Sequence, residues 1–132
     1  EETVIKPGET VIVPTGLKLA IPEGYEIQVR PRSGISLNTP LRIANSPGTI
    51  DSGYRDEMGI IIWNTSSTSS TGIPEEFTVD SKGNKNGTYR IRKGDRIAQI
   101  ILMPVPRIRF VEVKSVQKIG NNRGGGFGST GV

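Results

Sequence analysis

The stretch Tyr25-Glu26-Ile27-Gln28-Val29-Arg30, followed at once by Pro31-Arg32-Ser33-Gly34, sets the fold class. Its first six residues alternate apolar and polar with period two, the pattern of a half-buried β-strand. Pro31 stops the ladder and Gly34 permits a tight bend. The backbone N–H groups of such a bend, with the Ser33 hydroxyl and the Arg32 guanidinium, form a cradle for an oxyanion or a phosphate. The plain alternative is a surface turn with a solvated arginine.

Strands follow on both sides of this segment. Upstream, Val4-Ile5 and Val11-Ile12-Val13 predict two short strands around the Lys6-Pro7-Gly8-Glu9 turn, and Thr15 to Ile21 predicts another, stopped by Pro22-Glu23-Gly24. Downstream, Met58 to Trp63 reads as a buried strand and Glu75 to Val79 as a marginal one. Thr88 to Ile91 leads through the Lys93-Gly94 turn into Asp95 to Met103, the longest apolar stretch, read as a central strand. Arg107 to Val113 is a last alternating segment. No helical period of useful length occurs, beyond one short turn over Ser33 to Leu37. With 17 Gly and 9 Pro, about a fifth of the 132 residues favour turns, so the composition also predicts an all-β chain of many short strands. A chain of this length buries roughly two-thirds of its unfolded surface. We read residues 1–120 as a single β domain.

Three segments depart from that plan. Gln99 sits among apolar neighbours, where an unsatisfied amide costs about 1 to 3 kcal/mol, so it either ties down backbone or awaits a ligand. Asp95 and Arg96 beside it read as ion-pairing residues with a structural role. Two polar low-complexity runs, Asn64 to Ser70 and Ser81 to Gly87, bracket the marginal strand and make 65–87 an exposed insertion, with a protein-partner surface left open. Residues 121–132 form a flexible Gly-rich C-terminal arm. In it, Arg123 and Phe127 are separated by three glycines, so a guanidinium and a ring can clamp the two ends of a ligand.

The chemistry concentrates in Asn45-Ser46-Pro47-Gly48-Thr49-Ile50-Asp51-Ser52-Gly53-Tyr54-Arg55-Asp56-Glu57. Pro47-Gly48 reads as a turn, Thr49-Ile50 as a strand end, and Ser52-Gly53 as a second turn that holds Asp51 close to Tyr54. A carboxylate and a phenol fixed on a hairpin can accept a proton from water and stack on a flat ring. Asp-Ser-Gly is also ordinary hairpin chemistry. The chain has no Cys and no His, which removes disulfides, thiolate and imidazole catalysis, and sulfur or imidazole metal ligands. Catalysis is therefore left to carboxylates, and any metal is a hard, oxygen-bound ion such as Mg2+.

The net charge of +4 suits an anionic partner, but only 5% of residues are aromatic and the basic residues are scattered. A phosphorylated small molecule fits better than a nucleic acid, for which no direct binding is expected. No apolar run of about 18 residues occurs and no signal-type segment opens the chain, so we expect a soluble protein with no membrane partner and a cytoplasmic location.

Taken together, Pro31-Arg32-Ser33-Gly34, Gly48-Thr49-Ile50-Asp51-Ser52-Gly53-Tyr54, Gly94-Asp95-Arg96-Ile97-Ala98-Gln99 and Arg123 to Gly131 resemble, in order and spacing, four of the five motifs of trimeric dUTPases. The resemblance spans nearly the whole chain outside 65–87, and that insertion is similar to those of dUTPases from phages of Gram-positive bacteria. It implies a β jelly roll, a barrel or sandwich of the dUTPase type. It also implies a homotrimer whose active sites are shared between subunits.

The activity implied is hydrolysis of dUTP to dUMP and pyrophosphate, by Mg2+-assisted attack of water on the α-phosphate. Such a reaction limits uracil in DNA and supplies dUMP for dTTP synthesis. By resemblance, Asp51 orients and deprotonates that water, and Tyr54 packs beneath the deoxyribose. Asn45, with the backbone around Thr49, Ile50 and Gly59, reads the uracil edge. Arg32, Ser33, Gly34 and Gln99 hold the triphosphate, while Arg123, Phe127 and Gly128 close over it. Mg2+ is expected through the triphosphate and waters, with no direct protein ligand.

The chain departs from the family pattern in two places. Nothing in these residues matches the Ala-Gly-Tyr-Asp-Leu-like first motif, expected before Glu1, and the arm is slightly shorter than usual between Arg123 and Phe127. Two alternatives follow: a catalytically impaired dUTP-binding or regulatory module, and a dCTP deaminase-like enzyme. Against the second, the position where such deaminases place a glutamate is here Ile61.

Overall fold

The computed structural model describes residues 2–68, 72–128 and 131. Among them are nine strands and one short helix: β1 (Thr3–Ile5), β2 (Thr10–Pro14), β3 (Tyr25–Arg30), α1 (Ser33–Asn38), β4 (Leu41–Ile43), β5 (Gly48–Asp51), β6 (Gly59–Asn64), β7 (Glu76–Thr78), β8 (Thr88–Ile91) and β9 (Gln99–Pro104). They form three three-stranded sheets, ordered β1-β8-β7, β2-β6-β4 and β5-β3-β9. All pairings are antiparallel except β7 with β8, which is parallel.

Alternation decides what each strand buries. Ile27 and Val29 of β3, Ile60 and Ile62 of β6, and Tyr89 and Ile91 of β8 point inward. All of these but Ile27 meet Ile5, Val13, Leu41, Ile43 and Met58 in one core cluster. Tyr89 is fully buried, lies with its ring centroid 5.6 Å from that of Phe77 of β7 in a tilted contact, and donates its hydroxyl to the Lys85 carbonyl at 2.9 Å. Desolvation therefore pushes its phenol above the ordinary value.

The 65–87 segment is anchored at both ends. Asn64, fully buried, donates from Nδ2 to the carbonyls of Ile5 at 2.9 Å and Gly87 at 2.8 Å, and its Oδ1 accepts from the Ser66 N–H at 3.0 Å. Ser66 and Gly87 are themselves buried. A Cβ on Gly87 would lie 2.4 Å from the Glu75 carbonyl oxygen and 2.7 Å from the Phe77 ring, so only glycine lets β7 close on this end of the segment. Arg90 on β8 bridges Glu76 of β7 and Glu2 beside β1, joining the three strands at the surface. Residues 69–71, which include the end of the first polar run, lie outside the described residues.

Several expectations change. Thr15 to Ile21 is not a strand; it is held by the Thr15 N–H on the Met58 carbonyl and the Met58 N–H on the Leu17 carbonyl. Arg107 to Val113 alternates in sequence but is exposed, and among the described residues it pairs with no strand and belongs to no sheet. The apolar run ending at Met103 enters a sheet only at Gln99, and β9 is an edge strand with Ile100 and Leu102 exposed. β4, unforeseen, pairs with β6 through Leu41, Arg42 and Ile43. No helix among the described residues is long and apolar enough to cross a membrane.

Candidate active site

The segment linking β5 to β6 carries the densest chemistry; it is not the hairpin expected from the sequence, because β5 pairs with β3 and β6 with β2 and β4, in different sheets. Residues 44–47 turn the chain out of β4, and Gly48 is already the first residue of β5 rather than part of the turn. A Cβ at Gly48 would stand 3.2 Å from Val29 Cβ and 3.4 Å from Asn45 Nδ2, so its absence lets the Asn45 amide lie against the strand. β5 ends at Asp51, and the next turn closes with the Tyr54 N–H donating to the Asp51 carbonyl at 3.1 Å. The Tyr54 hydroxyl donates to the Glu57 carbonyl at 2.8 Å, which fixes the ring. Arg55 braces the same turn by donating to the carbonyls of Ser52 and Tyr54.

The returning strand is fixed as firmly. Thr15 Oγ1 donates to the Met58 carbonyl at 2.6 Å, and Gly59 follows as the first residue of β6. A Cβ at Gly59 would come within 2.4 Å of Ile12 Cγ2, so glycine allows β2 and β6 their close approach here.

Between these walls lies a cavity of about 240 Å3, lined by Asn45, Thr49, Ile50, Asp51, Tyr54 and Gly59, with Val29, Gly48, Ile60 and Ile61. Six residues singled out from the sequence thus meet in one place. Val29 and Ile60 were read only as core strand residues. For Val29 the signal is the register, which sets it opposite the side-chain-free Gly48 beside the cavity. Ile61 leaves this wall without a carboxylate.

The other expected residues lie apart within one chain. Ser33 and Gln99 line a second, open cleft with Gln28 and Arg30. There Gln99, exposed rather than buried, donates from Nε2 to the Pro31 carbonyl at 2.8 Å, pinning the bend before α1 to the start of β9. Arg30 donates to Gln28 Oε1 at 3.0 Å and Gln28 to Glu26 Oε2 at 2.8 Å, a polar row along β3. Arg32 and Gly34 line a third groove, against the turn at 92–96. Of the two residues read as structural, Asp95 takes that part, accepting from the Arg92 N–H at 2.7 Å and pairing with its guanidinium.

Arg123, Phe127 and Gly128 line none of these cavities, and Phe127 is fully exposed. The arm's backbone takes positive φ at Gly124, Gly125, Phe127 and Gly128, and Asn122 Oδ1 caps the Gly124 N–H at 2.8 Å. Ser129, Thr130 and Val132 lie outside the described residues.

The dUTPase family model matches residues 1–72 and 76–131. The chain belongs to the dUTPase family. Curated relatives named deoxyuridine 5'-triphosphate nucleotidohydrolase include one from Syntrophotalea carbinolica, 45% identical over 98% of this chain and 75% of its own length. Another, from Fusobacterium nucleatum, is 42% identical over 99% of this chain and 76% of its own length. The dUTPase of Staphylococcus bacteriophage 80alpha, solved with dUPNHPP, superposes with a TM-score of 0.84 at 34% identity, covering 100% of this chain and 82% of that one. A mutant dUTPase from phage phi11 of S. aureus, whose structure concerns coordination of a structural Mg(II) ion, gives 0.75 at 32% identity over 89% and 80%. The all-β architecture and the match to phage dUTPases agree with the jelly-roll reading.

Proposed function

We propose that this chain hydrolyses dUTP to dUMP and pyrophosphate, as a cytoplasmic homotrimer whose active sites are completed by neighbouring subunits. One observation carries the reading: in a member of the dUTPase family, Asn45, Asp51, Tyr54 and Gly59 line one cavity with the backbone of β5. Asp51 stands at the end of a strand, so its carboxylate is placed by backbone hydrogen bonds rather than by a mobile loop. It orients a water molecule for in-line attack on the α-phosphorus and accepts its proton. Tyr54, braced by Glu57, supplies a flat floor for the deoxyribose. Asn45 and the polar backbone at Thr49, Ile50 and Gly59 read the uracil edge, and the apolar wall of Ile60 and Ile61 excludes water.

Arg32, Ser33, Gly34 and Gln99 hold the triphosphate, and their distance from the Asp51 cavity within one chain supports a site shared across subunits. Arg123, Phe127 and Gly128 of the 121–132 arm close over the nucleotide, the guanidinium on phosphate and the ring on the base. Residues 1–120 act as one domain, and 65–87 is an insertion available to a protein partner.

Magnesium fits such a site as a companion of the nucleotide. Among the described residues no three carboxylates gather into a metal cage, and Mg2+ is commonly bound by one or two carboxylates, substrate phosphates and waters. Bound with the nucleotide, the ion would supply positive charge to offset that of the leaving pyrophosphate. A carboxylate is a weak base at neutral pH, so most of the rate comes from placement and cationic stabilisation.

Pyrophosphate release from dUTP, dTTP, UTP and dCTP, with and without Mg2+, tests the chemistry, base choice, sugar choice and metal need together. We expect release from dUTP alone and only with Mg2+. Binding of dUTP without release supports the regulatory alternative, and ammonia release from dCTP supports the deaminase.

A further inference from the structure

The insertion does more than decorate the surface. Beyond β7 the chain runs back along α1, where the Asn84 N–H donates to the Asn38 carbonyl at 2.9 Å. It is tied a second time by Asp80, whose Oδ1 stands 3.3 Å from Arg92 Nη2. These ties make the 79–84 loop one wall of the third groove, of about 440 Å3. Arg32 and Gly34, with the 92–96 turn, line the rest of it.

The charges of this groove do not balance. Four cations line it, Arg32, Lys82, Arg92 and Arg96, against two carboxylates, Asp80 and Asp95. Both carboxylates are committed to the same guanidinium, with Arg92 Nη2 also 3.2 Å from Asp95 Oδ1. Among the described residues, Arg32, Lys82 and Arg96 form no ion pair. Three like charges held around one groove by a docked loop repel one another, and an anion with several oxygens relieves that repulsion.

We propose that Lys82, delivered by the insertion, acts with Arg32 and Arg96 as a binding residue for the polyphosphate tail of the nucleotide. The inference rests on the dUTP reading above, since Arg32 and Gly34 belong to the triphosphate cradle. It adds a residue from outside the four motifs. Lysine suits this place as a mobile point charge that can follow a tail before and after cleavage.

Steady-state kinetics of the full chain with Mg2+ and dUTP test it. Lys82→Ala raises KM about fivefold or more, the loss expected for one partly solvated charge-assisted hydrogen bond, and Lys82→Arg restores most of it. Inhibition by pyrophosphate weakens in parallel, while inhibition by dUMP, which has no tail, holds. Lys85→Ala is the control: it removes a charge from the same segment, but its ammonium lies over the Phe77 ring, 5.6 Å from the centroid. An unchanged KM in Lys82→Ala, or an equal rise in Lys85→Ala, overturns the proposal, as does equal weakening by dUMP. If the wild-type chain releases no pyrophosphate from dUTP, the activity reading fails instead. The groove is then tested by calorimetry with pyrophosphate alone, where equal binding to wild type and Lys82→Ala refutes it.

Discussion

Replacing Asn64 by alanine isolates the link between the insertion and the core. The side chain is completely buried and makes three hydrogen bonds, two given to the carbonyls of Ile5 and Gly87 and one accepted from the Ser66 N–H. The Gly87 carbonyl keeps a second partner, the Ser66 hydroxyl at 3.2 Å, so the groups that lose the Asn64 side chain without that relief are the Ser66 N–H and the Ile5 carbonyl. Three bonds at about 1 kcal/mol net each give a loss of roughly 3 kcal/mol. For a domain of this size that corresponds to a midpoint about 10 °C lower. Thermal unfolding followed by circular dichroism measures it, at one fixed protein concentration because subunit association would make the midpoint depend on concentration. Gly59 and Asn64 are the two ends of β6, about 17 Å apart along the strand, so pyrophosphate release below the melting range is retained. A midpoint within about 2 °C of the wild type would show that other contacts hold the segment and that the bond count misjudges it.

Asp51→Asn keeps the shape of the β5 end and removes the base; nucleotide binding persists while kcat falls by about a hundredfold or more, and turnover at the wild-type rate refutes the assignment. Gly87→Ala drives a methyl group into the Glu75 carbonyl and the Phe77 ring, costing about 1 to 3 kcal/mol and freeing the β7 amides to hydrogen exchange; unchanged protection at Glu76 to Thr78 would contradict it. The Thr78 hydroxyl, then Arg92, holds the Asp80 carboxyl below its ordinary value of 3.8. A depressed folded value means the tether's contribution is complete above the ordinary value and is lost as pH falls through the lower one. A carbon-13 titration of Asp80 should therefore show a midpoint under 3.8, and a midpoint at or above 3.8 refutes the tether.

What could be read in the chain followed from local pattern. Period two at Tyr25–Arg30, the turn at Ser52-Gly53 and the glycine and proline count gave the strand class, and the Asp51 cavity assembled from residues close in sequence. Pattern failed where pairing decides. Leu41–Ile43 is too short to show a period and is a strand only because β6 lies beside it. Arg107 to Val113 has the period but, among the described residues, no strand to pair with. β1 joins β8 across more than 80 residues, a closure no local signal announces. The placement of Gln99 also escaped the sequence, since its exposure comes from β9 standing at the edge of its sheet.

The parallel pairing of β7 with β8 has a consequence for anyone shortening the chain. β8 is flanked by β1 on one side and only by β7 on the other. Excising the insertion would strip that flank and leave a bare row of amides and carbonyls next to the apolar ring of Tyr89, an adhesive rim ready to recruit stray strands. A trimmed variant should therefore be judged first by its colloidal behaviour, since turbidity would cost more molecules than any loss of catalysis.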